Sequence, residues 1–190
     1  PELKKFNAIA VGPGIGLNEK TKMSFEKLVK QSTVPLVIDA DAINMLAENK
    51  SILEDLKPGT ILTPHTKEFE RLTKKHNSDF ERLNAGIEFA KKYSVILILK
   101  GVYTAVINSD GKVFFNSTGN SSLAKGGSGD TLTGIIVATL AKNYTPLNAA
   151  ILSVYIHGLA ADICIEQQSK ETVIASDIIQ ALQKAFLRIP

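Results

Sequence analysis

Residues 36–48 read LVIDADAINMLAE. An apolar run of strand length passes directly into a stretch with Ile43, Leu46 and Ala47 at helical spacing. The pattern predicts a strand over Leu36–Asp39 and a helix over Asp41–Glu48. The same order recurs on both sides. Asn7–Val11 reads as a strand, and Glu19–Gln31 as a helix with Phe25, Leu28 and Val29 on one face. Thr60–Thr63 reads as a strand followed by helical Lys67–Lys75 and Phe80–Tyr93. VILILK, Val95–Lys100, is a further buried strand. Strands that are apolar throughout, alternating with helices, imply a mostly parallel sheet covered on both faces. Ala105–Asn108 and Val113–Asn116 flank an Asp110-Gly111 pair, the signature of an antiparallel hairpin at one side of the sheet. The last third reads as three helices, Asp130–Lys142, Pro146–Gln167 and Ser176–Phe186, the last capped by Ser176 and Asp177. The expected class is α/β.

The chain of 190 residues is long enough for a full core, and residues 1–190 read as a single domain. Its 44% hydrophobic and 22% charged residues are ordinary for a soluble globular protein. A net charge of +3, with lysines and acids interspersed and no aromatic–basic pattern, argues against a nucleic-acid partner. No apolar run of membrane-spanning length and no signal peptide is read, so the expectation is a cytoplasmic protein without a membrane partner. The single cysteine, Cys164, excludes an internal disulfide and a cysteine-built zinc site; within LAADICI it reads as a buried thiol.

In open α/β sheets ligands lie beyond the carboxyl ends of the strands. The segments there are GPGIG at 12–16, DADAIN at 39–44, TPHTKE at 63–68, KGVYT at 100–104 and NSTGN at 116–120. Together they read as a cleft. GPGIG resembles a dinucleotide turn but has Leu17 where the fingerprint needs glycine, and Pro13 removes a donor. Asp41 suits a helix cap; a metal pair with Asp39 is the lesser reading. His157, in VYIHGLAAD, reads as packed, and His76 as exposed.

GGSGDT, residues 126–131, is not a P-loop. Glycines here permit positive φ and leave amides uncovered, so with the first helical amides they form a nest for an anion. Asp130 then has two readings. As an acid in the first turn it stabilises the helix by about 0.3–1 kcal/mol. As a general base it takes a proton from a substrate hydroxyl that attacks phosphorus, worth about 10²–10⁴-fold. A bare cap does not need Gly126, Gly127 and Gly129, each costing about 1 kcal/mol in a helix; the base reading is favoured.

GPGIG, PLVIDADAIN, LTPHTKEFERL, LKG and NSTGNSSLAKGGSGDTLTGIIVATLA, in this order, resemble the ADP/ATP-dependent NAD(P)H-hydrate dehydratases, the carbohydrate-kinase-like domain of YjeF-type proteins. The resemblance runs from about Gly12 to the C-terminus. It implies a ribokinase-like three-layer α/β/α sandwich. It implies a reaction in which ADP or ATP, with Mg²⁺, phosphorylates the ring hydroxyl of hydrated NADH or NADPH (NADHX, NADPHX), and phosphate elimination restores the dihydropyridine. By matching position, Asp130 is the base and a substrate contact, and Gly127, Ser128 and Gly129 form the anion hole. Gly14, Gly16 and His65 approach the hydrated cofactor. Lys100, Gly101, Val102, Tyr103, Thr104, Asn120 and Gly129 line the adenine-nucleotide site, with Asn116 nearby. No protein metal cage is expected. A homo-oligomer is expected.

The sequence departs from the family at Lys125, where a small residue is usual, and at Val102 and Tyr103. Lys125 reads as a phosphate contact or a solvated side chain. The family also carries a β-α portion ahead of GPGIG. The expectation is therefore a fragment that pairs with a missing N-terminal segment or is fused to an epimerase domain. The alternatives are a ribokinase-like kinase of a vitamin precursor or other small alcohol, a non-catalytic nucleotide-binding module, and a dinucleotide-dependent oxidoreductase using GPGIG.

Overall fold

A computed structural model describes residues 3–189. Six strands, β1 (Ile9–Val11), β2 (Leu36–Ile38), β3 (Ile61–Leu62), β4 (Ile96–Leu99), β5 (Ala105–Ile107) and β6 (Val113–Phe115), form one sheet in chain order. β1 to β4 are parallel; β5 and β6 run antiparallel to their neighbours. Helices α1 (Glu19–Gln31), α2 (Ala40–Glu48), α3 (Thr66–Leu72) and α4 (Asp79–Tyr93) make the connections among the first four strands. α5 (Ser128–Ala141), α6 (Pro146–Ile165) and α7 (Ala175–Leu187) follow the hairpin.

Parallel crossovers have one hand. Each one here steps a single strand in the same direction, so α1 to α4 all land on one face. The period of two along each strand then sorts the core. Leu36, Ile38, Leu62, Leu97, Leu99 and Ile107 pack against that helical layer, with Phe25, Ile43, Leu46, Phe69 and Phe89. The alternate residues Val37, Ile61, Ile96, Ile98 and Val106 pack against α5 and α6 through Leu132, Ile136, Ala150 and Val154. A third cluster joins α6 to α7 through Ile156, Ala160, Ile163, Ile178 and Ala185. The result is a three-layer α/β/α sandwich.

At 20 residues, α6 is by length and composition long enough to cross a membrane, contrary to the sequence reading that no apolar run reaches that length. It is a central helix of this fold, with Ala149, Ala150, Ile156 and Ala160 fully enclosed. Alanines let the sheet on one side and α7 on the other approach closely.

Other boundaries also differ. α5 begins at Ser128 rather than Asp130, because Gly127, at φ 84°, is its N-cap. α7 begins at Ala175, which puts Ser176 inside the helix. Asp177 acts from the third helical position, its Oδ2 accepting from the Ile174 amide at 3.0 Å. Lys50–Asp55 forms a 3₁₀ helix that the sequence did not announce. His76 is half-buried rather than exposed, stacked on Phe69 with ring centroids 5.7 Å apart.

Candidate active site

The carboxyl ends of β1 to β4 lie side by side, and a polar cluster has formed across them. Asp39, following β2, is 2% exposed. Its Oδ1 accepts from Lys100 Nζ at 2.9 Å, and its Oδ2 from Thr133 Oγ1 of α5 at 2.8 Å. A buried carboxylate must be paired and bonded in this way. Asp39 is also the N-cap position of α2, but its side chain makes no capping bond. It therefore holds the ends of β2 and β4 and the first turns of α5 together. Lys100 extends one residue past β4 and bridges to His65 after β3.

The glycine turn is seated on this cluster. A methyl group added to Gly129 would lie 3.5 Å from Lys100 Nζ and 3.8 Å from Asp39 Oδ2. The amides of Gly126, Gly127, Gly129 and Asp130 find no acceptor among the described residues. The Ser128 amide donates to the Lys125 carbonyl at 3.3 Å. These are the unpaired donors of a helix start, supplemented by the turn before it. Asp130 is exposed in the first turn of α5, and its carboxylate has no hydrogen bond or ion pair among the described residues. A free carboxylate beside uncovered amides can accept a proton while the amides face developing negative charge.

Ser128, by contrast, is buried. Its Oγ lies 3.2 Å from Nε2 of His157 on α6. Burial pushes the His157 imidazole down to about 4 from 6.5, and the nearby Lys100 charge adds to this. The Ser128 side chain therefore anchors the turn from inside.

The first turn, GPGIG, is fixed by Gly12 and Asp41. Gly12 has φ 137°, and a side chain there would overlap the Asp39 carbonyl oxygen, so only glycine fits. The Gly16 amide donates to Asp41 Oδ2 at 2.9 Å. Asp41 lies within α2 and fastens a loop; the helix-cap reading of Asp41 is thereby corrected. Gly14, at φ 65°, is exposed with open space around it.

His65 is the N-cap of α3. Its Nδ1 accepts from the amides of Lys67 and Glu68 at 3.1 and 3.3 Å, and its own amide donates to Glu68 Oε2 at 2.8 Å. Nδ1 is thus committed. Nε2, 3.4 Å from Glu68 Oε1, lies on a ring that is half exposed.

The segment after Lys100 divides. Lys100 points toward α5. Val102 and Tyr103, 96% and 75% exposed, lie on the opposite face of the sheet. With Gly101, Phe80, Arg82 and Phe115 they line a cavity of about 490 Å³ that includes neither the glycine turn nor Asp130. Thr104 donates to the Gly101 carbonyl at 3.4 Å. The loop after the hairpin is tied to α6. Asn120 donates to Asp162 Oδ1 at 2.9 Å and accepts from the Ser122 amide, and the Gly119 amide donates to Asp162 Oδ2 at 2.8 Å. Asn116 donates to the Thr118 carbonyl at 2.8 Å. Among the described residues, no three His, Cys, Asp or Glu side chains converge as metal ligands.

Sequence reasoning missed the Asp39–Lys100–Thr133 cluster, the Ser128–His157 pair and the role of Asp162. One signal was available: Asp39 and Lys100 each end an otherwise apolar strand.

Known proteins resemble this chain over nearly its whole length. The family described as NAD(P)H-hydrate dehydratase matches residues 1–184. The bifunctional NAD(P)H-hydrate repair enzyme of Moorella thermoacetica is 35% identical over 182 residues, 95% of this chain and 34% of that protein. The ADP-dependent (S)-NAD(P)H-hydrate dehydratase of Bacillus subtilis is 32% identical over 187 residues, 96% of this chain and 65% of that protein. The crystal structure of the B. subtilis ADP/ATP-dependent NAD(P)H-hydrate dehydratase co-crystallized with ATP/Mg²⁺ superimposes with a TM-score of 0.82 at 32% identity, covering 96% of this chain and 64% of that one. A hydroxyethylthiazole kinase from Pyrococcus horikoshii, 18% identical with a TM-score of 0.77, shares the fold. The chain thus spans about a third of the bifunctional relative and about two thirds of the single-function one. With a match over nearly its whole length, the chain belongs to the NAD(P)H-hydrate dehydratase family.

Proposed function

We propose that this chain carries the nucleotide-dependent dehydration of hydrated NADH or NADPH. The observation that carries the reading is the unpaired Asp130 carboxylate beside the uncovered amides of the glycine turn, at the carboxyl ends of the strands. The relatives named above support the substrate class.

In the first step the ring hydroxyl attacks the terminal phosphorus of ADP or ATP. Asp130 takes the hydroxyl proton, and the bond from phosphorus to the nucleotide oxygen breaks. The amides of Gly127 and Gly129, with Ser128 anchoring the turn, face the charge on the transferred group. Lys100, fixed by Asp39, adds a positive charge at the same place. In the second step the carbon–oxygen bond breaks and phosphate leaves with the electron pair. The ring nitrogen supplies its lone pair, the adjacent ring carbon loses a proton, and the dihydropyridine double bond returns. The oxygen of the added water departs in the phosphate.

Gly14, Gly16 and the half-exposed ring of His65 receive the hydrated cofactor. The nucleotide phosphates run along Gly129 and Lys100, with Asn120 shaping the loop beside them. Gly101, Val102, Tyr103 and Thr104 complete the nucleotide side only where the ligand crosses the end of β4. Mg²⁺ would be held mainly by the nucleotide phosphates, with the free Asp130 carboxylate as the side chain of this site able to hold it, and would supply charge neutralisation.

The test uses the full-length protein with hydrated NADH, Mg²⁺ and ADP or ATP, following absorbance at ~340 nm as the reduced cofactor returns. A nucleotide-dependent rise that disappears in Asp130→Asn is the expected result. A stable phosphate ester without a rise refutes dehydration and leaves phosphoryl transfer alone. Nucleotide binding without any turnover refutes both.

A further inference from the structure

Lys125 immediately precedes the glycine turn. Its ammonium donates to three backbone carbonyls, those of Lys170, Glu171 and Val173, at 3.0, 2.6 and 2.7 Å. An ammonium has three N–H donors, so all are consumed. Neither sequence reading of Lys125 holds: no donor remains for a phosphate, and the head group is not simply solvated. No carboxylate is among the three acceptors. The carbonyls belong to the turn between α6 and α7, and they converge on one point.

Convergent backbone carbonyls around a singly charged cation are the arrangement by which proteins replace the hydration shell of an alkali ion. The position is joined to the anion-binding turn by the chain itself, and the turn passes close to the start of α7. A methyl group on Gly127 would lie 3.0 Å from Ala175 Cβ, at the start of α7.

We propose that Lys170, Glu171 and Val173 form a monovalent-cation site that Lys125 fills with its own ammonium. The tethered cation holds the 170–173 turn against the glycine turn and keeps a fixed positive charge next to it. The protein therefore needs no K⁺ there, and removing Lys125 converts it into one that does. A potassium ion and an ammonium are close in size and share a preference for carbonyl oxygen, which makes K⁺ rather than Na⁺ the replacement.

The experiment compares wild type, Lys125→Ala and Lys125→Met in KCl and NaCl at equal ionic strength, by thermal melting. Wild type melts at the same temperature in both salts. Each variant loses about 4 °C or more in NaCl, and KCl restores at least half of the loss. Equal melting of the variants in the two salts overturns the proposal, as does a wild type that responds to K⁺. Variants that are insoluble in both salts overturn it too, since K⁺ then fails to replace the ammonium; insolubility in NaCl alone supports it. A second arm, which rests on the proposed function, measures turnover: the variants run about tenfold faster in KCl than in NaCl. Melting does not depend on the reaction. A wild-type protein inactive in every salt would sink the functional reading and leave the cation site standing.

Discussion

His157 gives a quantitative test of how the glycine turn is held. The imidazole is buried against Ser128, and its pKa lies at about 4 instead of 6.5. Between those values the unfolded chain binds a proton that the folded one refuses. Stability is therefore complete above the ordinary histidine value and is lost as pH falls toward about 4. The window of about 2.5 pH units caps the loss at about 3 kcal/mol. By the same linkage roughly half of that loss is present at pH 5.5 and most of it at pH 4.5. For a chain of this size that is a fall in Tm of about 3–6 °C at pH 5.5. Carboxylates titrate in the same range, so the informative quantity is a difference. His157→Gln keeps a hydrogen-bonding amide toward Ser128 and removes the titration. Denaturant unfolding of both proteins from pH 7 to pH 4.5 should show wild type losing about 2–3 kcal/mol more than the variant. Parallel curves would refute the argument, and with it the claim that a buried neutral imidazole supports the turn.

The remaining predictions concern other supports of the site and one place without any. Asp39→Ala leaves the Lys100 ammonium without its partner at 2.9 Å; it should cost about 3–5 kcal/mol in urea unfolding, and Asp39→Ala with Lys100→Met should recover part of that. A single variant within experimental error of wild type would show that the cluster is not a support. Gly12→Ala meets both a positive φ and the Asp39 carbonyl, so a loss above about 2 kcal/mol is expected, with weaker substrate binding measured by KM. In contrast, Gly134 is exposed inside α5 with nothing near its missing side chain. Gly134→Ala should raise stability by up to about 1 kcal/mol with turnover unchanged.

What the sequence disclosed follows from how local each feature is. β2 to β5 were legible because both of their faces are covered, which makes them apolar without alternation. GGSGD was legible because the turn into α5 takes a positive φ at Gly127, which favours glycine whatever lies around it. The Asp39–Lys100 pair was not, since its members stand 61 residues apart and meet only once the strands are placed beside one another. The bond from Thr133 to Asp39 spans 94 residues and depends on where α5 docks. Val102 and Tyr103 sit in a loop whose side chains could have turned to either face; they lie around one cavity with Phe80 and Leu83 of α4 and Phe115 of β6. The partners of Lys125 are main-chain oxygens, which carry no signature in the sequence at all.

The order of strands across the sheet is the order of strands along the chain. GPGIG, Asp39, His65 and Lys100 therefore stand in a row like marks on a ruler. Each is one inter-strand spacing from the next, so the row is about 14 Å from end to end. An elongated ligand laid along that edge would pass these segments in reading order, with Asp39 buried beneath it. Lengthening one connecting loop alters the contact at one mark and leaves the others where they were.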